Sequence, residues 1–274
     1  MSTQAGATRQ ALTKSLIENF EIPLPPIAEQ KRIVGILSDR LAAVDQARQA
    51  TEAQLEAAQA LPAAYLRQIF NKVETNFSDY RFRLKQVCEA IVDCEHKTAP
   101  TQEEGIPMVR TANIRNGIID FTNSRRVSEE TYTKWTARLE PKANDLILAR
   151  EAPIGEVGII PVDQRACLGQ RTVLIRADHQ KAVAKYIMYF LLTPNSKEEM
   201  FRLSGGSLVP HLNMSDIRGF QITLPPYEVQ QQIAEKLDAK AQDTTSLYQS
   251  LQDQLDTINA LPAAFLRQAF NGEL

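Results

Sequence analysis

The sequence predicts an α+β protein: one mixed α/β domain flanked by two long helices packed as an antiparallel coiled coil. Three observations carry this expectation. Residues 6–71 recur as residues 206–271 without a gap, with 25 of 66 positions identical. Each copy holds about 45 residues whose apolar positions step alternately by three and four, the spacing of a coiled-coil seam. Between the copies, short apolar runs separated by turns read as strands. Only two copies occur, far apart, which excludes a solenoid of stacked neighbours.

The arms come first. Each opens on a proline pair, Pro25–Pro26 and Pro225–Pro226. Proline stops an incoming strand and suits the start of a helix. The second arm carries the stripe Leu237, Ala241, Thr244, Tyr248, Leu251, Leu255, Ile258. The first carries Leu37, Leu41, Val44, Arg48, Thr51, Leu55, Ala58, and is weaker because Arg48 and Thr51 fall on the seam. Pro62 and Pro262 are expected to kink the helices near their ends. A helix of about 45 residues spans roughly 65 Å at 1.5 Å per residue. It cannot bury its own stripe, so the arms are expected to pack on each other. They run antiparallel because the middle domain joins the end of one to the start of the other.

In the middle, residues 106–114, 144–150, 156–162 and 171–177 read as strands, and residues 182–194 as a helix packed on them. Residues 76–219 hold 20 Lys+Arg against 18 Asp+Glu, and 13 of the basic residues are Arg. The excess is small but sits in this domain. Arginine's planar fork matches guanine edges and phosphates. Basic and amide side chains cluster at expected strand ends or in loops at 110–117, 125–126, 150, 170–171 and 204–207.

Composition bounds the rest. The 274 residues carry a formal charge of −2, with 43% hydrophobic and 23% charged residues, a globular composition. No apolar run approaches the roughly 18 residues of a membrane span, so no membrane partner is expected. The first residues lack the apolar core of a secretory leader. Three cysteines, Cys88, Cys94 and Cys167, exclude a disulfide framework and point to the cytoplasm. Near-neutral charge argues against non-specific coating of nucleic acid but permits local reading of DNA.

Catalytic signatures are weak. Leu224-Pro225-Pro226-Tyr227 resembles an amino-methyltransferase motif, yet Leu stands where a polar residue must hold the target amine. Glu95-His96-Lys97 is half of a metal-dependent nuclease signature. Neither a phosphate-binding loop nor a nucleophile elbow occurs, and Cys94 with His96 is too small a set for zinc. No catalytic residue, metal or cofactor is expected.

The residues resemble a family. The marks are the twice-occurring I-x-LPP-x-x-x-Q-x-x-I at 22–33 and 222–233, and the endings LPAA-x-LRQ-x-FN at 61–71 and 261–271. Between them stand VDCEHKTAP (92–100), PMVRTANIRNGIID (107–120), NDLILAREAPIGEVGIIP (144–161), LGQRTVLIR (168–176) and GGSLVPHLNMSDIRGFQITLPP (205–226). Together they resemble the specificity subunit of type I restriction–modification systems. The resemblance implies a non-catalytic DNA-recognition subunit whose helices dock methyltransferase (modification) subunits and a restriction/translocase subunit. It implies a recognition-domain tail at 1–26, a first long helix at 27–75, a target-recognition domain at 76–226 and a second long helix at 227–274. The family plan has two recognition domains and reads a bipartite site in double-stranded DNA. One reading head is expected here, covering one half of such a site. A two-fold homodimer covering the bare groups Phe20, Ile22, Leu24, Phe265 and Phe270 would supply a second head. The alternative is a monomer that waits for a complementary fragment or a methyltransferase.

The expected DNA contacts are Lys97, Thr98, Arg110, Asn113, Arg115, Arg125, Arg126, Arg150, Arg171, Ser207 and His211. Asn113 is alternatively a structural turn residue. Two other classes stand beside this reading: a stand-alone nuclease built on Glu95-His96-Lys97, and a coiled-coil adaptor without DNA contact.

Overall fold

The computed structural model describes residues 13–205 and 211–274. The chain divides into two compact units, residues 1–56 with 249–274, and residues 57–248. In chain order, α1 (Lys14–Glu18) precedes the long helix α2 (Ile27–Asn76), followed by β1 (Arg81–Arg83), β2 (Cys88–Asp93) and β3 (Ile106–Val109). A small hairpin of β4 (Ile114–Arg115) and β5 (Ile118–Ile119) leads to β6 (Arg125–Val127) and α3 (Glu129–Trp135). Then come β7 (Leu146–Ala149), β8 (Val157–Ile159), β9 (Cys167–Leu168) and β10 (Thr172–Ala177). The chain closes with α4 (Ala184–Leu191), α5 (Pro194–Leu203), α6 (Met214–Gly219), β11 (Gln221–Thr223) and the long helix α7 (Tyr227–Phe270). The fold is α+β, with one sheet-rich domain and two long helices packed as an antiparallel pair.

In the first unit the pairing is read from side chains. The Arg40 guanidinium stacks 5.1 Å from the Phe265 ring centre and donates to Gln268 Oε1 at 3.2 Å. Eight residues earlier, Arg32 donates to the Leu274 carbonyl at 2.6 Å. Partners climb one helix as they descend the other, so the helices are antiparallel. Val44, Thr51, Leu55, Leu251 and Ile258 are buried as the stripe predicts. Thr51 is tolerated there because its hydroxyl donates to the Ala47 carbonyl at 3.0 Å. Arg48 departs from the predicted seam: it is exposed and pairs with Asp45 at 3.0 Å. Phe20, Ile22, Leu24 and Phe270 are exposed, as expected, whereas Phe265 is half-buried under Arg40.

Within the second unit the two helices are again antiparallel. Tyr248 Oη accepts from Gln59 Nε2 at 3.4 Å, and Lys240 Nζ lies 5.6 Å from the Tyr65 ring centre. On the predicted stripe, Ala241 and Tyr248 are exposed. Both prolines lie inside uninterrupted helices, Pro62 in α2 and Pro262 in α7.

A four-stranded antiparallel sheet, in the order β2-β10-β7-β8, organises the second unit. Its central strands are covered on both faces: LILA is apolar throughout, and TVLIRA is apolar over Val173, Leu174 and Ile175, while Arg176 pairs with Asp145 at 2.7 Å. Leu146, Leu148, Val173 and Ile175 face a core built with Phe70, Val73, Tyr186, Ile187 and Leu191. Ile147 and Leu174 face a second core with Val109, Ile114, Ile160 and Leu168. The short helices start where the sequence caps them. Ser128 accepts from the Thr131 amide, and Thr193 from the Ser196 amide ahead of Pro194 at the first helical turn.

Strands β1 and β11 pair antiparallel, Phe82 opposite Ile222. They join the segment after α2 to the segment before α7. Leu84 N donates to the Phe220 carbonyl at 2.8 Å, and the buried Tyr186 hydroxyl donates to the Thr223 carbonyl at 2.6 Å. The β4–β5 hairpin is clipped to β8 through glycine: Gly117 N donates to Val157 O at 3.0 Å, and Ile159 N to Gly117 O at 3.3 Å. A Cβ on Gly158 would meet Ile119 Cγ1 at 2.6 Å, so only glycine lets the hairpin approach this closely.

Candidate nucleic-acid interface

Sheet register gathers the candidate residues. In β10, Thr172 lies opposite Ala149 of β7 and Val173 opposite Asp93 of β2. The exits of β7 and β2 and the entry of β10 therefore meet at one end of the sheet. Arg150 and Glu151 follow β7, Cys94 and His96 follow β2, and Gly169-Gln170-Arg171 lead into β10. His211 joins them by bridging to Glu151, with Leu212 N donating to Arg150 O at 2.9 Å.

The side chains form a continuous chain of charges. The Arg150 side chain, only 8% exposed, pairs with Asp93 and contacts His211 Nε2. Asp93 also contacts His96 Nε2 at 3.0 Å. Arginine can only donate, so His211 Nε2 accepts and its Nδ1–H donates to Glu151 Oε1 at 2.9 Å. The other Glu151 oxygen pairs with Arg171 Nε at 2.8 Å. Among the described residues Arg150 Nε has no hydrogen-bond partner. Burial of a cation is tolerated here because Asp93 neutralises it and two nitrogens are bonded.

These residues line two adjoining clefts. One, of about 170 Å³, is bounded by Cys94, His96, Arg150, Glu151, Gln170, Arg171 and His211. The other, of about 260 Å³, is bounded by Thr98, Ala99, Met108, Arg110, Thr111, Arg125, Gln170 and Arg171. Gln170 and Arg171 form the ridge they share. Arg110 lies across Gly169, where a Cβ would meet its Cγ at 2.5 Å.

Of the eleven sequence candidates, Thr98, Arg110, Arg125, Arg150, Arg171 and His211 converge on these clefts. Lys97 is exposed beside Thr98. The others are engaged differently. Asn113 Oδ1 accepts from Arg110 N at 3.0 Å, the turn-forming role that was the alternative for this residue. Arg115 donates to its own turn at Thr111 O, 2.9 Å. Arg126 donates to Gly105 O at 3.0 Å. Within the converging six, Arg150 at the exit of β7 is a buried anchor, its side chain 8% exposed. Ser207 lies outside the described residues.

Sequence reasoning missed Glu151 and Asp93 as members of the site. Carboxylates in a basic face look unfavourable until their partners are seen. The signal was the near-balance of charge in residues 76–219, which supplies a carboxylate for almost every basic residue.

The nuclease triple does not assemble. Glu95 pairs with Arg138 at 3.5 Å and Asp93 with Arg150. Among the described residues, the metal-ligating atoms that gather belong to Glu89, Asp178 and His179, and Lys181 holds Asp178 at 2.7 Å. Burial pushes the Cys88 and Cys167 thiols up to about 12 and raises Cys94 as well. None is a thiolate at neutral pH.

A sequence profile described as "Type I restriction modification DNA specificity domain" matches residues 1–57 and 79–257. The EcoBI specificity subunit of a type I restriction enzyme from Escherichia coli is 24% identical over 98% of this chain and 62% of its own length. The MjaVIII specificity subunit from Methanocaldococcus jannaschii is 26% identical over 82% of this chain and 56% of its own. The HsdS subunit from Thermoanaerobacter tengcongensis superposes with a TM-score of 0.63 at 20% identity, over 100% of this chain and 66% of that one. A second structure, from work on complex assembly and conformational transition of the type I R-M system, gives 0.70 at 20% identity, over 98% and 66%. The chain thus spans less than two thirds of these relatives. No helix among the described residues is long and apolar enough to cross a membrane.

Proposed function

We propose, on the premise that this chain belongs to the type I restriction–modification DNA specificity family, that it selects the DNA site at which catalytic partners act. Residues 76–226 form the target-recognition domain and read one half of a bipartite site in double-stranded DNA. The helices at 27–75 and 227–274 dock methyltransferase and restriction subunits, and residues 1–26 are the tail of a recognition domain. The chain itself catalyses nothing and works in the cytoplasm. The observation that carries this reading is the convergence of Arg110, Arg125 and Arg171 with Thr98, Gln170 and His211 on two open clefts at one sheet end. Arginine and glutamine there supply the forked donors that base edges require.

Two identical reading heads arise if the exposed Phe20, Ile22, Leu24 and Phe270 are covered by a second copy, since a bare apolar patch favours association. The DNA target is then an inverted repeat with a gap. The test is binding of the full chain, alone and with a type I methyltransferase subunit, to a pool of random duplexes. Salt-dependent binding with an enriched motif is expected. Binding without any enriched motif, or none at all, overturns the reading in favour of an adaptor.

A further inference from the structure

Arg171 is held in a backbone conformation that its residue type does not favour. Its φ is +70°, and the other described non-glycine residues at positive φ are Asn116, Asn144 and Asp163. Asparagine and aspartate tolerate that region, whereas arginine there is strained. The position sits directly after Gly169-Gln170, where glycine or asparagine would relieve the strain. What arginine adds is its guanidinium, on a side chain 62% exposed at the ridge between the two clefts.

That guanidinium is fixed from behind. Its inner nitrogen, Nε, pairs with Glu151 Oε2 at 2.8 Å, and Glu151 is in turn held by His211. His211 rests on Arg150, whose side chain is over nine-tenths buried and borders the smaller cleft. Among the described residues neither Nη1 nor Nη2 of Arg171 hydrogen-bonds a protein atom, so the terminal pair is left for a ligand. Two parallel donors, end-on and preset, match the O6 and N7 acceptors of guanine in the major groove.

We propose that Arg171 reads a guanine edge, with Glu151 as the positioning residue that orients its fork. The proposal rests on the DNA-recognition reading above and sharpens it to one base and one contact. Glu151 keeps the guanidinium from collapsing onto phosphate, and the buried Arg150–His211 pair keeps Glu151 in place.

The experiment selects duplexes from a random pool with the full chain and its methyltransferase partner, then repeats the selection with R171K, R171G and E151Q. The expected result is an enriched motif in which one G·C position loses its preference with R171K and R171G while the remaining positions keep theirs. Replacing guanine at that position by 7-deazaguanine should weaken wild-type binding by about 5- to 150-fold and leave R171G unaffected. E151Q should reduce discrimination at that same position without lowering the Tm. R171G should raise the Tm, because glycine accepts positive φ, which separates loss of reading from loss of folding. Uniform weakening across all positions, with no position-specific change, would mean a phosphate contact and overturns the proposal. So does an R171G variant that loses Tm. A wild-type chain that enriches no motif defeats the underlying reading instead, and this proposal with it.

Discussion

Phe220, Ile222 and Leu224 are buried, while their repeat equivalents Phe20, Ile22 and Leu24 are 62–77% exposed. The helix tails show the same contrast. Leu66 and Phe70 are buried, whereas Leu266 and Phe270 are 44% and 65% exposed. One apolar pattern thus has two fates, and the difference lies in what the following segment supplies. After α2 the chain provides β1, which pairs with β11 and covers Ile222, and then Leu84 and Val87, which join the core with Phe220 and Leu224. Among the described residues nothing plays that part for Phe20 to Leu24. A motif therefore specifies a capacity for burial, and the neighbouring fold decides whether it is used.

The largest test of this comparison is a pair of truncations. Phe70 stacks edge-on to Phe190 and tilted on Tyr186, with ring centres 5.5 and 5.4 Å apart. F70A should cost about 3–5 kcal/mol in urea unfolding of the second unit. F270A should stay within about 0.5 kcal/mol. Equal costs would break the contrast.

Gln30 and Gln230 make a closer match, since each caps its helix on a proline carbonyl, Pro25 O at 2.7 Å and Pro225 O at 2.8 Å. Gln230 is also buried, accepts from Val183 N at 2.9 Å and donates to Lys181 O at 3.1 Å. Q230A leaves those groups without their partner and should cost about 2–3 kcal/mol. Q30A loses one partly solvated bond, about 0.5–1 kcal/mol.

The cysteines report on the second unit alone, which contains all three. Native Cys88 and Cys167 ionise near 12, against an ordinary value of 9.0. The unfolded chain releases thiol protons first, so these groups stabilise the fold fully below about pH 9 and progressively less as pH rises towards 12. Urea titrations at rising pH should show this decline, and a C88A/C167A variant should flatten it. The smallest thermal effect is expected for F20S/I22S. Its Tm should match wild type, while light scattering should show a lower mass than wild type where a second copy covers this patch. An unchanged mass would break the link between exposure and association.

Much of this was legible in the sequence. The runs at 144–150 and 171–177 contain β7 and β10 because strands covered on both faces carry consecutive apolar residues, 146–149 and 173–175. Helix α4 lies within 182–194 for a similar reason. β6 was not legible: Arg125-Arg126-Val127 has no apolar alternation and is a strand only because β3 pairs with it. The site was half legible. Basic loop residues could be named singly, but the Arg150–His211 contact spans 61 residues, and the role of Glu151 depends on partners from two other segments.

The glycine clip between the hairpin and β8 sets terms for anyone redesigning the surface of this domain. Gly117, at φ +90°, and Gly158 must be kept together, because a side chain on either meets Met188 or Ile119. Ile118 between them is 71% exposed and answers to no such limit. A mutagenesis library that holds both glycines and randomises position 118 explores new surface chemistry on an unchanged scaffold. One that varies the glycines mostly samples chains in which the hairpin has come off the sheet.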